Sequence, residues 1–238
     1  MTTIVRISAV VVVIVLTVGV CMFLAADFQH ESFPRGFNSP VLAMQMAQSM
    51  EEVDAIVGEP GHSDRAQMRS QQRMDFLFIL AYWSEFLLMS ILLWRRNLSG
   101  AKYLAAMAGL IATLAAGFDV WENVGILGVL SASATPDNDP LVQAVRFTAI
   151  VKWLLLFLAM ILLSRVFLGR ERMDVPDDIT DRIFFLPGLF FLVTGVVGLT
   201  GLLWWNVLLN YVAIPMLFGL CALVVALFWN PSRLRQRL

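Results

Sequence analysis

Charged side chains interrupt three long apolar runs of the sequence, where such residues are rare. They are Glu85 in the run 76–94, Asp119 and Glu122 in the run 103–127, and Lys152 in the run 144–163. A charge at the centre of a transmembrane helix costs about 2.5–3.5 kcal/mol on insertion scales, so each one requires a partner or a function. The carboxylates can bind a cation, relay a proton or hold a polar head group, and Lys152 can neutralise them or hold a lipid phosphate.

The depths of these residues predict which of them form an ion pair. At a rise of 1.5 Å per residue, Lys152 lies about 20 Å and Asp119 about 24 Å above the same membrane surface. A lysine stem spans that difference, so we predict a Lys152–Asp119 ion pair, with Glu122 or Glu85 as the alternative partner. A hydrogen-bonded network that only fixes helix register is the structural alternative to a binding site.

Four further residues complete the candidate ligand- or ion-binding set. They are Asp75, Tyr82, Asn123 and Arg146. We predict no catalytic residue, because no nucleophile–base pair accompanies them. His30 and His62 lack the spacing of metal ligands, so no metal site is predicted. Cys21 and Cys221 are predicted to be two buried thiols, and no cofactor is expected.

The composition is that of a membrane protein. Of the 238 residues, 59% are hydrophobic and 15% are charged, the mean hydropathy is +0.76 and the formal net charge is -1. Soluble domains carry roughly 45–50% apolar and about 25% charged residues. A soluble fold of this length cannot bury so much apolar surface, and the balanced charge excludes a basic nucleic-acid binder.

The apolar runs predict an all-α integral membrane protein, a six-helix bundle that forms a single domain over residues 1–238. A bilayer core of about 30 Å needs roughly 20 apolar helical residues. The predicted spans are about 7–26, 76–94, 103–127, 144–163, 183–203 and 207–229. We predict that the first span is a retained signal anchor, since its apolar run is longer than that of a signal peptide.

Small residues predict two close-packed helix faces. One comprises Ala105, Gly109, Ala112 and Ala116 in the third span, and the other comprises Gly195, Gly198 and Gly201 in the fifth. Such residues let helix backbones approach each other in lipid. The stripe of the third span continues to Asp119, so we predict that this span is central and turns its carboxylate inward. Pro215 is predicted to kink the sixth span.

The hydrophilic loop, about 27–73, is predicted to form a small helical extracytoplasmic cap. Ser39 before a proline signals one helix start, and Ser49 with Glu52 forms a capping box at a second. A polar helix that begins at Ser63 is predicted to lead directly into the second span.

The basic residues predict the orientation of the chain. One side of the predicted membrane holds Arg6, Arg95, Arg96, Lys102, Arg165, Arg170, Arg172, Arg182, Arg233, Arg235 and Arg237. The other side holds Arg35, Arg65, Arg69 and Arg73, all in the loop 27–73. By the positive-inside rule, both termini are cytoplasmic. We predict a multi-pass protein of a plasma membrane, with the bacterial cytoplasmic (inner) membrane favoured.

Three functions fit these features. The leading hypothesis is a non-catalytic accessory or lipid- or ligand-binding membrane protein, not an enzyme, whose buried polar cluster opens outward. The alternative is a small ion- or proton-coupled transporter that uses the intramembrane carboxylates, and the third is an intramembrane lipid-modifying enzyme. The predicted partners are membrane lipid and a larger membrane complex or homo-oligomer, and no nucleic acid is expected.

Overall fold

The computed structural model describes residues 2–24, 28–29, 33–94, 101–132, 135–168, 179–204 and 206–229. This part of the chain is all-helical and contains no strand. Its helices are α1 Thr2–Leu24, α2 Pro40–Gln45, α3 Met50–Val57, α4 Ser63–Trp94, α5 Ala101–Ser131, α6 Asp139–Leu168, α7 Ile179–Leu203 and α8 Ala213–Trp229. Short 3-10 turns lie at Pro34–Gly36, Pro136–Asn138 and Asn206–Tyr211. Outside the described residues lie His30, Arg95, Arg96, Arg170, Arg172 and the arginines after residue 230.

Within the described residues, six helices are long and apolar enough to cross a bilayer, in agreement with the predicted number, and this fits a multi-pass membrane protein. The second of them, α4, has 32 residues, because the polar helix that begins at Ser63 continues without a break into the apolar run, as predicted. The fourth, α6, has 30 residues and extends beyond the predicted span 144–163 at both ends.

The six long helices form a closed ring in chain order. Each of α4, α5, α6 and α7 packs mainly against its neighbours along the chain, and α1 packs against both α4 and α8. Helix α5 is therefore one of the six members of the ring and is not surrounded by the others, so the prediction that this span is central is wrong. One side of α5 packs on α4 and another on α6, which leaves its third side outward, with Leu110 63% and Trp121 68% exposed. Asp119 does point inward, as predicted.

Small residues allow neighbouring helices of the ring to pack closely against each other. A Cβ atom at Gly109 of α5 would lie 2.8 Å from Ser90 Oγ of α4. A Cβ atom at Gly195 of α7 would lie 2.5 Å from Ile161 Cγ1 of α6, and one at Gly198 would overlap the ring of Phe157. Both predicted close-packed faces are therefore confirmed, since a larger residue cannot enter either contact without displacing its neighbour.

The segment 33–62 packs over one end of the ring. Ser49 Oγ accepts the backbone N–H of Glu52 at 3.3 Å, as predicted. The Glu52 carboxylate instead accepts the N–H of Gln48 at 2.8 Å, one residue before the predicted partner. Apolar side chains of this segment form one core with the adjoining ends of α5 and α6, which includes Met44, Val53, Ile56, Ile126, Leu130 and Val145.

Arg65 fastens this segment to the ring. Its guanidinium group is buried, donates to the carbonyl oxygens of Gly58 at 2.7 Å and Leu130 at 3.3 Å, and pairs with the Asp54 carboxylate. The end of α3, the start of α4 and the end of α5 are thereby joined through one side chain. Arg65 was predicted to be a charge of the hydrophilic loop, and its burial was not predicted.

Pro215 is the third residue of α8, so its missing N–H falls in the first turn of that helix, shortly after the 3-10 turn Asn206–Tyr211. The kink expected at this position of the sixth span stays a prediction. The prediction for the two cysteines is wrong. Cys21 and Cys221 are exposed rather than buried. In a ring of single helices each apolar helix has an outward face, and both thiols lie on such faces.

Candidate functional site

Lys152 of α6 lies at the centre of a buried ion-pair cluster. Its Nζ atom is 3.1 Å from Asp119 Oδ1, 2.9 Å from Glu122 Oε1 and 2.7 Å from Glu122 Oε2. The ammonium group also lies 4.9 Å from the centre of the Trp153 ring, a cation–π contact. The predicted Lys152–Asp119 pair is confirmed, and Glu122 is a second partner rather than an alternative to Asp119, because the two carboxylates lie one helical turn apart on the same side of α5.

Uncharged side chains extend this cluster on both sides. The Tyr82 hydroxyl of α4 donates to Asp119 Oδ2 at 2.8 Å. On the other side, Gln45 Nε2 of α2 donates to Glu122 Oε1 at 2.7 Å, and Trp153 Nε1 donates to Gln45 Oε1 at 3.0 Å. We call the six connected residues the polar network; they are Gln45, Tyr82, Asp119, Glu122, Lys152 and Trp153.

Gln45 and Trp153 were not predicted as site residues. Gln45 is the polar residue of a short apolar helix, and Trp153 follows Lys152 directly in the sequence. A glutamine among buried methionines and alanines requires partners, and this is the signal that could have identified it. Its partner on α5 is 77 residues away, a distance over which helical periodicity gives no information.

Asp75 and Asn123 form a separate pair beside the polar network. Asn123 Nδ2 donates to Asp75 Oδ2 at 2.7 Å, which joins α4 to α5 one turn beyond Asp119. Asn123 is fully buried. The structure thus brings both predicted residues into one contact, with no direct bond to Lys152 among the contacts of the described residues.

Glu85 pairs with Ser8 and not with Lys152, the partner that the sequence allowed for it. Its Oε1 atom accepts the hydroxyl of Ser8 on α1 at 2.6 Å, and no contact to Lys152 is present among the described residues. Its Oε2 atom is buried and has no hydrogen-bond partner within the same part of the chain. Glu85 therefore joins α1 to α4 and keeps one acceptor unused.

Arg146 is the predicted residue that the structure leaves apart. It is half-buried near the start of α6, and within the described ranges no contact links it to a carboxylate of the site. It also does not line the cavity described next.

The ring of helices encloses a cavity of about 1000 Å³. One wall is the face of α4 that carries residues at alternating spacings of four and three, namely Gln71, Asp75, Phe78, Tyr82, Glu85 and Met89. From Asp75 to Met89 this face extends about 21 Å along the helix axis. Asp119 and Lys152 also line the cavity, and the remaining wall is largely apolar, with Leu156, Met160 and Leu163 of α6 and Met216, Leu220 and Leu223 of α8.

One end of the cavity lies beside the segment 33–62. Phe33, Ser39 and Val41 line this end together with Asn210 of the last 3-10 turn. Asn210 holds the segment in place, because its amide donates to the carbonyl of Gly36 and accepts the N–H of Asn38, both at 3.0 Å. Two hydrogen bonds of the Asn210 side chain thus join the segment to the last 3-10 turn at this end of the cavity.

The charges of the site do not balance. Among the described residues, the site holds four carboxyl groups, those of Asp75, Glu85, Asp119 and Glu122, and one ammonium group, that of Lys152, which pairs directly with Asp119 and Glu122. Buried charges of one sign are costly unless protons or a bound cation compensate them. The arrangement can therefore hold a cation, a proton or a polar head group, and in the described chain no three His, Cys, Asp or Glu side chains lie close enough to hold a metal ion.

Comparison with protein-family models, with curated proteins and with solved structures finds no match for this chain.

Proposed function

We propose that this chain is a multi-pass membrane protein that binds a lipid-like amphiphile in the cavity at the centre of its helix ring, without acting on it chemically. One observation carries the proposal: a cavity of about 1000 Å³ that combines a long apolar wall with a short row of polar groups. Its volume is at the upper end of the range for ligand pockets, roughly 300–1000 Å³. An amphiphile matches a cavity with one apolar and one polar part, because its chain can lie on the apolar wall and its head group beside Glu85 and Asp119.

The outer surface of the ring supports insertion into a bilayer. Large apolar side chains such as Leu77, Leu110 and Phe147 are exposed on it, and apolar surface of this extent is typical of contact with lipid. The predicted orientation belongs to the same proposal: both termini are cytoplasmic, and the segment 33–62 forms an extracytoplasmic cap on a protein of the bacterial inner membrane. The Ser8–Glu85 bond supports retention of α1, since cleavage would expose that carboxylate.

Native mass spectrometry of the full chain, purified in a mild non-ionic detergent, tests the proposal. We expect the protein to retain an amphiphile of defined mass, which lipid extraction then identifies. The same spectra report a homo-oligomer or a co-purifying membrane partner, the two assemblies that the sequence predicts. A protein that carries only detergent and randomly bound bulk lipid would contradict the proposal.

Two tryptophan variants of α6 provide a matched comparison. Leu156 lines the cavity and is 8% exposed, whereas Leu154 lies outward on the same helix and is 41% exposed. Leu156→Trp adds volume inside the cavity and is expected to lower ligand occupancy, while Leu154→Trp is expected to retain it. Equal occupancy in the two variants would show that the ligand binds elsewhere.

Ion- or proton-coupled transport is the second candidate, and the excess of carboxylates over ammonium groups in the site favours it. Carboxylates inside a helix bundle are the groups that relay protons or bind cations in transporters. Flux of protons or alkali cations in proteoliposomes, abolished by Asp119→Asn, is the expected result if this candidate is correct. Flux that is no greater than in empty liposomes would exclude it.

A further inference from the structure

Glu85 carries an unused hydrogen-bond acceptor at the wall of the cavity. The side chain is 3% exposed and lines the cavity, and Ser8 occupies its Oε1 atom at 2.6 Å. Its Oε2 atom has no partner among the described residues. An acceptor without a donor in a buried site costs free energy, and a ligand that supplies a donor recovers it.

Aromatic rings flank this carboxylate on the same face of α4. Phe78 and Tyr82 have ring centres 5.7 Å apart, and Tyr82 and Phe86 have centres 6.4 Å apart in an edge-on arrangement. All three rings line the cavity. Carboxylates and aromatic faces both attract cations, whereas both disfavour the phosphate or carboxylate head group of an anionic ligand.

Lys152 does not reverse this preference, although its ammonium group also lines the cavity. Its Nζ atom already donates hydrogen bonds to Asp119 Oδ1 at 3.1 Å and to Glu122 Oε1 at 2.9 Å. The Trp153 ring covers another side of the ammonium group. The groups that remain available to a ligand on this wall are therefore acceptors, chiefly Glu85 and Asp75.

We infer that the amphiphile has a protonated amine as its head group and that this ammonium donates to Glu85 Oε2. The inference rests on the proposed function and adds the chemical class of the ligand. The aliphatic chain extends along Leu156, Met160 and Leu220, which line the cavity. The amine can belong to a membrane lipid or to a single-chain molecule, and the ammonium is the chemistry that the two share.

Binding of tritiated hexadecylamine to the full chain in non-ionic micelles tests the inference, with hexadecanol and hexadecanoate as competitors of equal chain length. We expect the amine to bind about tenfold more tightly than the alcohol, because a hydrogen bond between two charged groups is stronger than a neutral one. Hexadecanoate is expected to compete least. Displacement by phosphatidylethanolamine identifies a membrane lipid as the source of the amine, and failure to displace identifies a single-chain amine.

Glu85→Gln retains the shape of the side chain and removes its charge. This variant is expected to bind hexadecylamine about tenfold more weakly than the wild-type chain does. Its affinity for hexadecanol is expected to be unchanged, and this unchanged affinity also shows that the variant is folded. Glu51→Gln, at an exposed position of α3, is the matched control and is expected to change neither affinity.

The outcomes separate the two proposals. Equal affinity of the wild-type chain for amine, alcohol and carboxylate would overturn the amine inference and leave the cavity as a site for amphiphiles. Absence of binding by all three would overturn the proposed function as well. If the Glu85→Gln variant binds none of the three compounds, the order of their affinities for the wild-type chain decides whether the amine inference is correct.

Discussion

Ser8 of α1 and Glu85 of α4 are joined by a hydrogen bond of 2.6 Å, although they lie 77 residues apart in the chain. The hydroxyl of Ser8 is fully buried, and it also lies 3.6 Å from the sulfur atom of Met89. This bond fastens the first helix to the wall that carries most of the polar groups of the cavity. The first helix is therefore a structural part of the candidate site.

Ser8→Ala is predicted to destabilise the protein. Loss of the donor leaves both oxygens of Glu85 without a partner in the described part of the chain, and we expect the free energy of unfolding to fall by about 1–3 kcal/mol. Unfolding in mixed micelles, followed by circular dichroism, measures the change. Ser84→Ala is the control: Ser84 donates to the carbonyl of Leu80 in its own helix at 2.7 Å, so a change within about 0.5 kcal/mol is expected. Equal effects of the two variants would contradict the assigned bond.

The Lys152–Asp119 pair is predicted to show strong energetic coupling. Lys152→Met leaves two buried carboxylates without an ammonium, and we expect a loss of about 3–5 kcal/mol. Asp119→Asn is expected to destabilise less, because Glu122 still pairs with Lys152. The double variant is predicted to be more stable than the sum of the two losses implies, by at least about 1 kcal/mol. Strictly additive losses in the same unfolding assay would mean that the two residues do not interact.

Two glycine substitutions, one in the α6–α7 contact and one outside it, are predicted to have opposite effects on stability. A Cβ atom at Gly198 would overlap the ring of Phe157, so Gly198→Ala is expected to lower stability by about 1–3 kcal/mol. At Gly117 of α5 no atom of the described residues lies within 4 Å of the added Cβ atom, and Gly117→Ala is expected to raise stability by about 0.5–1 kcal/mol. A stabilising Gly198→Ala would show that α6 and α7 are further apart than described.

The proposed orientation predicts which positions react with a membrane-impermeant maleimide in intact cells. After Cys21 and Cys221 are replaced by alanine, Ala55→Cys is expected to be labelled from outside, because Ala55 is exposed in α3. Lys102→Cys, at the opposite end of the ring, is expected to react only after the cells are opened. Labelling of both positions in intact cells would contradict the proposed orientation.

The class of the fold and the main ion pair could be predicted from the sequence alone. Six apolar runs of sufficient length specify six helices, because the thickness of a bilayer and the rise per residue are fixed quantities. The same rise placed Lys152 and Asp119 at similar depths, and burial then required that they meet. The capping residue Ser49 was also predictable, because a helix start is a local feature.

The tertiary structure decided how these helices are arranged around one another. Closure of α8 on α1 makes a ring with a central cavity instead of a bundle centred on α5, and no periodicity within one helix specifies that choice. The contacts of Glu85 with Ser8 and of Glu122 with Gln45 each join residues 77 positions apart. Such contacts depend on the rotation of each helix about its own axis, which the packing of small and large side chains between neighbours determines. The sequence by itself thus determined which polar residues enter the helix bundle, and only the packing of the helices decided which of them pair and which face the cavity.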